Sequence, residues 1–339
     1  MAQGHSGRSN SRTGMNLRRR ALLAAAASVA LAPRIGRAQT YPDRPIRFVV
    51  PYAPGGSTDT SARIAAEKLS QLLGQTVVVE NKAGGGTIIG TENVVRAKPD
   101  GYTLLLTPAA LIANAAFGVK VPYDIDKDLA PVVGFVDLAV LLAASNDAPF
   151  KSVAELLAYG KAFPKRPIAY ASAGVGSLTH LWGEFVKART GMPLEHVGYK
   201  GSADALKDVI AGHVPLFSDV LVPTATAIRA GKLRGLAVAT KERVSLLPDV
   251  PTVGEAGLPG TECTIPFGVS VPAGTPGEIV ERLNAVFNQA LVDKVVRQKM
   301  TELGFIAVGG KPQAYAAVVA AEIAKWRKVI KDSNIPPPS

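Results

Sequence analysis

From residue 46 onward, short apolar runs alternate with stretches whose apolar positions recur at helical spacing. Residues 46–51, Ile-Arg-Phe-Val-Val-Pro, read as a buried strand. Ile64, Ala65, Leu69, Leu72 and Leu73 then mark one face of a helix over 60–73, and Gly74 stops it. Strands are predicted at 77–79 and 102–106, with a helix from Thr87 to about Ala97 between them. The pattern resumes with a strand at 132–144 and a helix at 152–163. Ser152 and Glu155 form a capping box at that helix's start. Strands at 168–171, 196–197, 216–218, 233–239 and 267–271 alternate with helices at 178–190, 203–211 and 223–230. Helices from Pro276 to Asp293 or beyond and from 312 to 331 close the chain. Alternation of this kind predicts an α/β fold with a mainly parallel sheet, in two lobes, the last segment returning to the first.

The first 38 residues follow another pattern. Arg18-Arg19-Arg20 precede an apolar run from Ala21 to Ala32, and Gly36-Arg37-Ala38 place small residues before a cut ahead of Gln39. This is the three-part form of a secretory signal peptide, by the Sec or the twin-arginine route, and the run is too short to span a bilayer. It changes the meaning of the composition. The 339 residues carry a net charge of +11, which would suggest a nucleic acid partner. Seven arginines and no acid lie in the leader, so residues 39–339 keep 31 Lys and Arg against 27 Asp and Glu, or +4. A soluble, monomeric periplasmic protein without a nucleic acid partner is expected. The single cysteine excludes an internal disulfide and a thiolate zinc site, and the histidines lack metal-ligand spacing. No metal or cofactor is expected, and Cys263 reads as a small buried hydrophobe.

Candidate chemistry lies in glycine-rich loops that each follow a strand and precede a helix: 54–59, 84–87 and 172–177. A helix N-terminus presents unpaired N–H groups and partial positive charge, and glycine lets a ligand approach the backbone. Such loops suit a carboxylate or phosphate. The glycine spacings do not fit a dinucleotide fingerprint, since Ile89 and Thr179 stand where a third glycine belongs, and no Lys-Ser or Lys-Thr follows to make a phosphate-binding P-loop. Asp59 reads as an N-cap or as a group facing the cleft, and His180 as a capping histidine or a ligand contact. Tyr199 and Asp219 follow second-lobe strands and are candidates for the same cleft. Tyr170-Ala171-Ser172-Ala173-Gly174 approaches a hydrolase nucleophile elbow, with His213 and an acid at 204 or 208 as the available partners. A secreted serine hydrolase using Ser172 is therefore the rival class.

The order of motifs resembles the Bug-type extracytoplasmic solute receptors of tripartite tricarboxylate transporters. Carrying it are Tyr41-Pro42-Asp43-Arg44-Pro45-Ile46-Arg47, Val50-Pro51-Tyr52-Ala53-Pro54-Gly55-Gly56 with Asp59, and Gly74 to Asn81. Pro99 to Leu104, Tyr170-Ala171-Ser172 with Gly174, Gly176, Ser177 and His180, Ala230 to Arg234, Leu247 to Thr252, Pro272 to Pro276 and Lys325-Trp326 continue it. The resemblance implies a periplasmic binding protein type II-like fold: two α/β lobes, a ligand cleft between them and two crossover strands. It puts lobe 1 at 39–142 plus 264–339, lobe 2 at 143–263 and the hinge near Ala143 and Cys263. It implies capture, not catalysis, of a dicarboxylate, amino acid or aromatic acid for delivery to the membrane subunits of a transporter; a receptor feeding a sensor kinase is a further alternative. The matching ligand-site positions are Ala53, Pro54, Gly55, Gly56, Ser57, Thr58, Asp59, Thr107, Ser172, Gly174, Gly176, Ser177, His180, Tyr199 and Asp219. Thr264-Ile265-Pro266-Phe267-Gly268 and Val197-Gly198-Tyr199 depart from the family's usual tryptophan and proline.

Overall fold

The computed structural model describes Met1 and residues 41–337; the leader expected at 1–38 falls outside its described residues apart from Met1. A short segment ends at Asp43, and the body begins at Arg44. The first half of that body contains β1 (Ile46–Val50), α1 (Ser57–Leu73), β2 (Val77–Asn81), a 3₁₀ turn (Gly85–Thr87), α2 (Ile88–Val95), β3 (Thr103–Thr107), α3 (Ala110–Phe117) and the short α4 (Ile125–Asp128). β1 lies between β2 and β3, parallel to both. Gly74 ends α1 in the left-handed conformation, φ 66°, its N–H donating to Ser70 O, as the sequence predicts.

β4 (Leu129–Ser145) is one long strand through both halves. The second half holds α5 (Val153–Ala162), β5 (Ile168–Ser172), α6 (Leu178–Thr190), β6 (Leu194–Gly198), α7 (Ser202–Ile210), β7 (Leu216–Val220), α8 (Leu221–Arg229) and β8 (Leu233–Val238). The chain then returns through β9 (Thr264–Pro272), α9 (Gly277–Val292), α10 (Lys294–Glu302), β10 (Phe305–Gly309) and α11 (Pro312–Asp332). The capping box forms: Glu155 N–H donates to Ser152 Oγ at 3.1 Å and Lys151 N–H to Glu155 Oε2 at 2.8 Å. Phe48, Phe135 and Phe287 meet edge to face at 5.9–6.2 Å in the first core. Phe217, Leu141, Ala171, Val209 and Leu221 build the second.

β4 pairs with β9 up to Ala139 and with β7 from Val140 onward. Ala239 N–H donates to Val140 O, and Cys263 N–H to Ala239 O, both at 2.7 Å. The two crossings therefore lie side by side, with the partner change at Ala139–Val140 rather than at Ala143. β3 is antiparallel to β9 and β9 to β4, so β1, β2 and β3 run in β4's direction, toward the second half. β7 is antiparallel to β4, and β5 and β6 follow β7, so their carboxyl ends point back toward the first half. Ligands of open α/β sheets bind at carboxyl ends of strands, and here the two sets are directed at one another.

Several elements differ from the sequence reading. α3 is apolar almost all round and buried at Leu111, Ile112, Ala113 and Ala116, so it lacks the polar face that marks a helix. β10 is an extra strand, antiparallel to β4, and α10 is separate from α9. Antiparallel pairs are those of the crossing and returning strands, while β1–β2, β1–β3, β5–β6 and β5–β7 pair in parallel. Among the described residues no helix is long and apolar enough to cross a membrane.

Candidate functional site

In the first lobe, the chain leaves β1 through Ala53, Pro54, Gly55 and Gly56, all exposed. α1 begins at Ser57, earlier than the predicted Thr60, with Gly56 as N-cap and no side-chain cap. Among the described residues no side chain caps its first N–H groups, which keep the helix's partial positive charge. Thr58 is half-buried in this first turn, and Ser61 Oγ–H donates to its carbonyl at 2.8 Å.

Asp59 is neither the N-cap nor an open ligand contact. It lies inside the helix, 3% exposed, and reaches back to accept the Gly55 N–H at 2.9 Å. Arg63 Nε donates to it at 3.0 Å, a second Arg63 nitrogen lies at 3.0 Å, and Asn81 Nδ2 donates at 2.9 Å. Asn81 also donates to Tyr52 O at 3.2 Å and accepts from Arg63 at 2.9 Å. Burial alone would raise the Asp59 carboxyl; the hydrogen bonds from Arg63, Gly55 and Asn81 outweigh it and hold it below the ordinary carboxylate range. This carboxylate therefore shapes the loop that presents the open helix end. Thr107 ends β3, buried, with its Oγ1 2.7 Å from Ser270 Oγ, which ties it to β9.

The second-lobe loop is built differently. Ser172 is fully buried, and its Oγ lies 2.7 Å from His196 Nε2 and accepts the Gly174 N–H at 3.2 Å. Gly174 has φ 138°, and a Cβ there would stand 2.5 Å from Tyr199 O, so glycine is required. Gly176 N–H donates to His180 Nδ1 at 3.1 Å. Ser177 is the true N-cap of α6, accepting the His180 N–H at 3.2 Å and donating to Gly174 O at 2.7 Å. His180 is 4% exposed and stacks on His196 with centroids 3.7 Å apart. Burial, then Lys187 for His180 and His180 for His196, pushes both imidazoles down to about 4. Both are neutral at pH 7, and His180 Nδ1 keeps the lone pair that Gly176 needs.

Asp219 is fully buried at the end of β7. Ser202 Oγ–H donates to its Oδ1 at 2.9 Å and the Val220 N–H at 2.8 Å. Among the described residues Oδ2 has no hydrogen-bond partner, and burial raises the carboxyl to about 6 against those two bonds. Tyr199 O–H donates to Asp208 Oδ2 at 2.8 Å.

The lobes are thus unequal. α1 starts without a side-chain cap, whereas at α6 Ser177 and His180 occupy donors of the loop and first turn. Sequence reading missed Arg63, one turn after Asp59 on α1, and Asn81 and His196, which reach the loops from β2 and β6. The hydrolase arrangement does not form as expected: His213 is exposed and 3.5 Å from Asp208, while the buried Ser172 pairs with the half-buried His196. Among the described residues no cluster of three or more potential ligands could hold a metal. A cavity of about 850 Å³ lies instead at the crossing, lined by Cys263, Thr264, Asp137, Glu322 and Lys325 with the chain at 239–246. No predicted site residue lines it.

Residues 61–335 match the family described as "Tripartite tricarboxylate transporter family receptor". The chain is 37% identical to Protein BugT of Bordetella pertussis over 299 residues, covering 88% of this chain and 91% of that one. Among solved structures, R. palustris Rpa4515 with adipate superposes with a TM-score of 0.76 at 37% identity, over 88% of this chain and 100% of that one. MatC from Rhodopseudomonas palustris with bound malate gives 0.70 at 34% identity, over 86% and 100%.

Proposed function

The chain belongs to the tripartite tricarboxylate transporter receptor family, and on that premise we propose that it is a monomeric periplasmic receptor capturing a small carboxylate for membrane transporter subunits. The observation that carries this reading is the uncapped N-terminus of α1 behind the exposed Gly55–Gly56 turn, at a strand end directed toward the other lobe. A carboxylate there meets unpaired N–H groups and the positive end of a helix without a lysine or arginine clamp. The solved relatives with adipate and malate support an acid of this class. The lobes, 39–139 plus 264–339 and 140–263, close by rotation about Ala139–Val140 and Cys263, and the extra contacts favour the bound form. Ala53 to Thr58 contact the ligand from lobe 1; the Ser172–Ser177 loop and His180 close over it from lobe 2.

Purified protein should be stabilised by dicarboxylates such as adipate or malate. At a hundred times Kd the gain is about 2.7 kcal/mol, read as a rise in melting temperature. A broad acid library without one stabilising member would sink the proposal. Gly56→Ala sharpens the site. Gly56 has φ −73° and ψ 166°, open to any residue, and the nearest atom to an added Cβ is 3.8 Å away. Stability should therefore stay within about 0.5 kcal/mol, while a methyl in the approach to α1 weakens binding about tenfold. Calorimetric titration and thermal unfolding separate the two effects, and unchanged affinity would remove α1 from the site.

A further inference from the structure

The 850 Å³ cavity at the crossing lies apart from the carboxylate cleft, and none of residues 53–59 or 172–180 lines it. Leu221 and Leu246 reach it from the second half, Phe305, Glu322 and Lys325 from the returning segment, and Asp137 and Cys263 from the two crossings. Small-molecule sites favour such joints, at about 300–1,000 Å³, with apolar walls and a few convergent polar groups. Leu221, Leu246, Phe305 and Cys263 supply the apolar wall. Burial pushes the Cys263 thiol up to about 12, so it adds no charge.

The charged groups beside that wall do not balance. Glu322 and Lys325 sit one turn apart on α11, and Lys325 Nζ donates to Glu322 Oε1 at 2.6 Å. The same Nζ lies 4.3 Å over the Trp326 ring, which holds the lysine in place. Glu322 Oε2 is buried and has no hydrogen-bond partner among the described residues. Asp137 stands on β4, where Thr264 Oγ1–H donates to its Oδ2 at 2.8 Å. Burial raises the Asp137 carboxyl, the Thr264 bond opposes it, and the nearby Glu322 adds to the rise. Two carboxyls thus share one ammonium. The other charges of the lining cancel: Lys241 and Arg297 match Glu242 and Glu262, and Arg243 is paired with Glu255 at 2.9 Å. A further cation satisfies the open oxygen and relieves the repulsion between the carboxyls.

We propose that this cavity is a second small-molecule site, taking an organic cation: a primary ammonium at Glu322 and Asp137, carried on an apolar body against Leu221, Leu246 and Phe305. Its ligand is opposite in charge to the acid of the cleft, and the site does not depend on the receptor reading. An ammonium brings three donors and one positive charge, which match the open Glu322 oxygen and the excess acid. A metal ion fits less well: among the described residues no three potential ligands gather, and Lys325 stands beside the two carboxyls. The apolar body covers wall that a bare cation leaves wet.

Titration calorimetry with hexylamine, and with hexanol as its neutral counterpart, tests this on wild type, Glu322→Gln and Lys325→Gln. Wild type should bind hexylamine at least about tenfold more tightly than hexanol. Glu322→Gln should weaken hexylamine about tenfold or more. Lys325→Gln should tighten it about two- to fivefold, because the competing cation leaves the same carboxyl. Damage to the fold weakens binding in both variants, so the opposite signs are the signature of the site. Absence of hexylamine binding, hexanol that binds as well, or a loss of affinity in both variants would overturn the proposal. Adipate titrated into the same proteins reads the cleft, and its failure to bind would count against the receptor reading alone.

Discussion

Asp59→Ala should weaken carboxylate binding about a hundredfold while leaving a folded protein. The carboxylate is the single acceptor that joins Gly55 N–H, Arg63 and Asn81, and Asn81 in turn holds Tyr52 O. Its removal leaves a guanidinium, an amide and a backbone N–H without their partner. A hydrogen bond to a charged group contributes about 1.5–3 kcal/mol, so freeing the turn costs about 3 kcal/mol of positioning, a hundredfold in Kd. Part of that loss appears as lower stability, because Asp59 is buried. Asp59→Asn separates the terms: it keeps the shape but turns an amide toward Arg63, and affinity should fall at least tenfold. Titration calorimetry with adipate is the measurement. An alanine variant that binds as wild type would show that the α1 end is not held in place by this carboxylate.

That prediction was only half legible in the sequence. The loop at 54–59 announces itself through its glycines, and Asp59 near the helix start is a natural capping residue. Which N–H a short acid serves depends on where the helix begins, and propensity does not resolve Ser57 from Thr60. Arg63 sits one turn after Asp59 on the same helix, a pairing that the i, i+4 spacing offers. Asn81 carries no local signal, because its role arises only when β2 lies beside β1. His196 was equally hidden: parallel pairing of β5 and β6 sets Tyr170 beside His196, a relation across 26 residues. Periodicity gave most of lobe 2, and it lost α3, whose own residues are apolar almost all round. Length misleads as well. β4 reads as a strand of one lobe, and only its change of partners at Ala139–Val140 shows that it belongs to both.

The second large effect is acid destabilisation centred on the stacked histidines. An imidazole whose folded value is about 4 against an ordinary 6.5 takes up its proton more readily when the chain unfolds. Its contribution is fully present above pH 6.5 and is lost as pH falls to about 4, about 3 kcal/mol for one group. Two rings 3.7 Å apart resist being charged together, so they titrate as a pair. Asp219 works the other way. Its carboxyl is raised to about 6, so between pH 6 and 4 the folded state holds more proton than the unfolded one and gains about 3 kcal/mol. Two imidazoles against one carboxyl leave a net loss of about 3 kcal/mol between pH 7 and 4. Urea unfolding across that range should show it, and His180→Gln with His196→Gln should flatten or reverse the slope. Where that double variant fails to fold, NMR titration of the wild-type imidazoles gives the same answer: values near 6.5 would refute the buried neutral pair. Ligand release should follow the same curve, because protonated Nδ1 of His180 no longer accepts the Gly176 N–H, and the second-lobe loop loses the shape that closes over the acid.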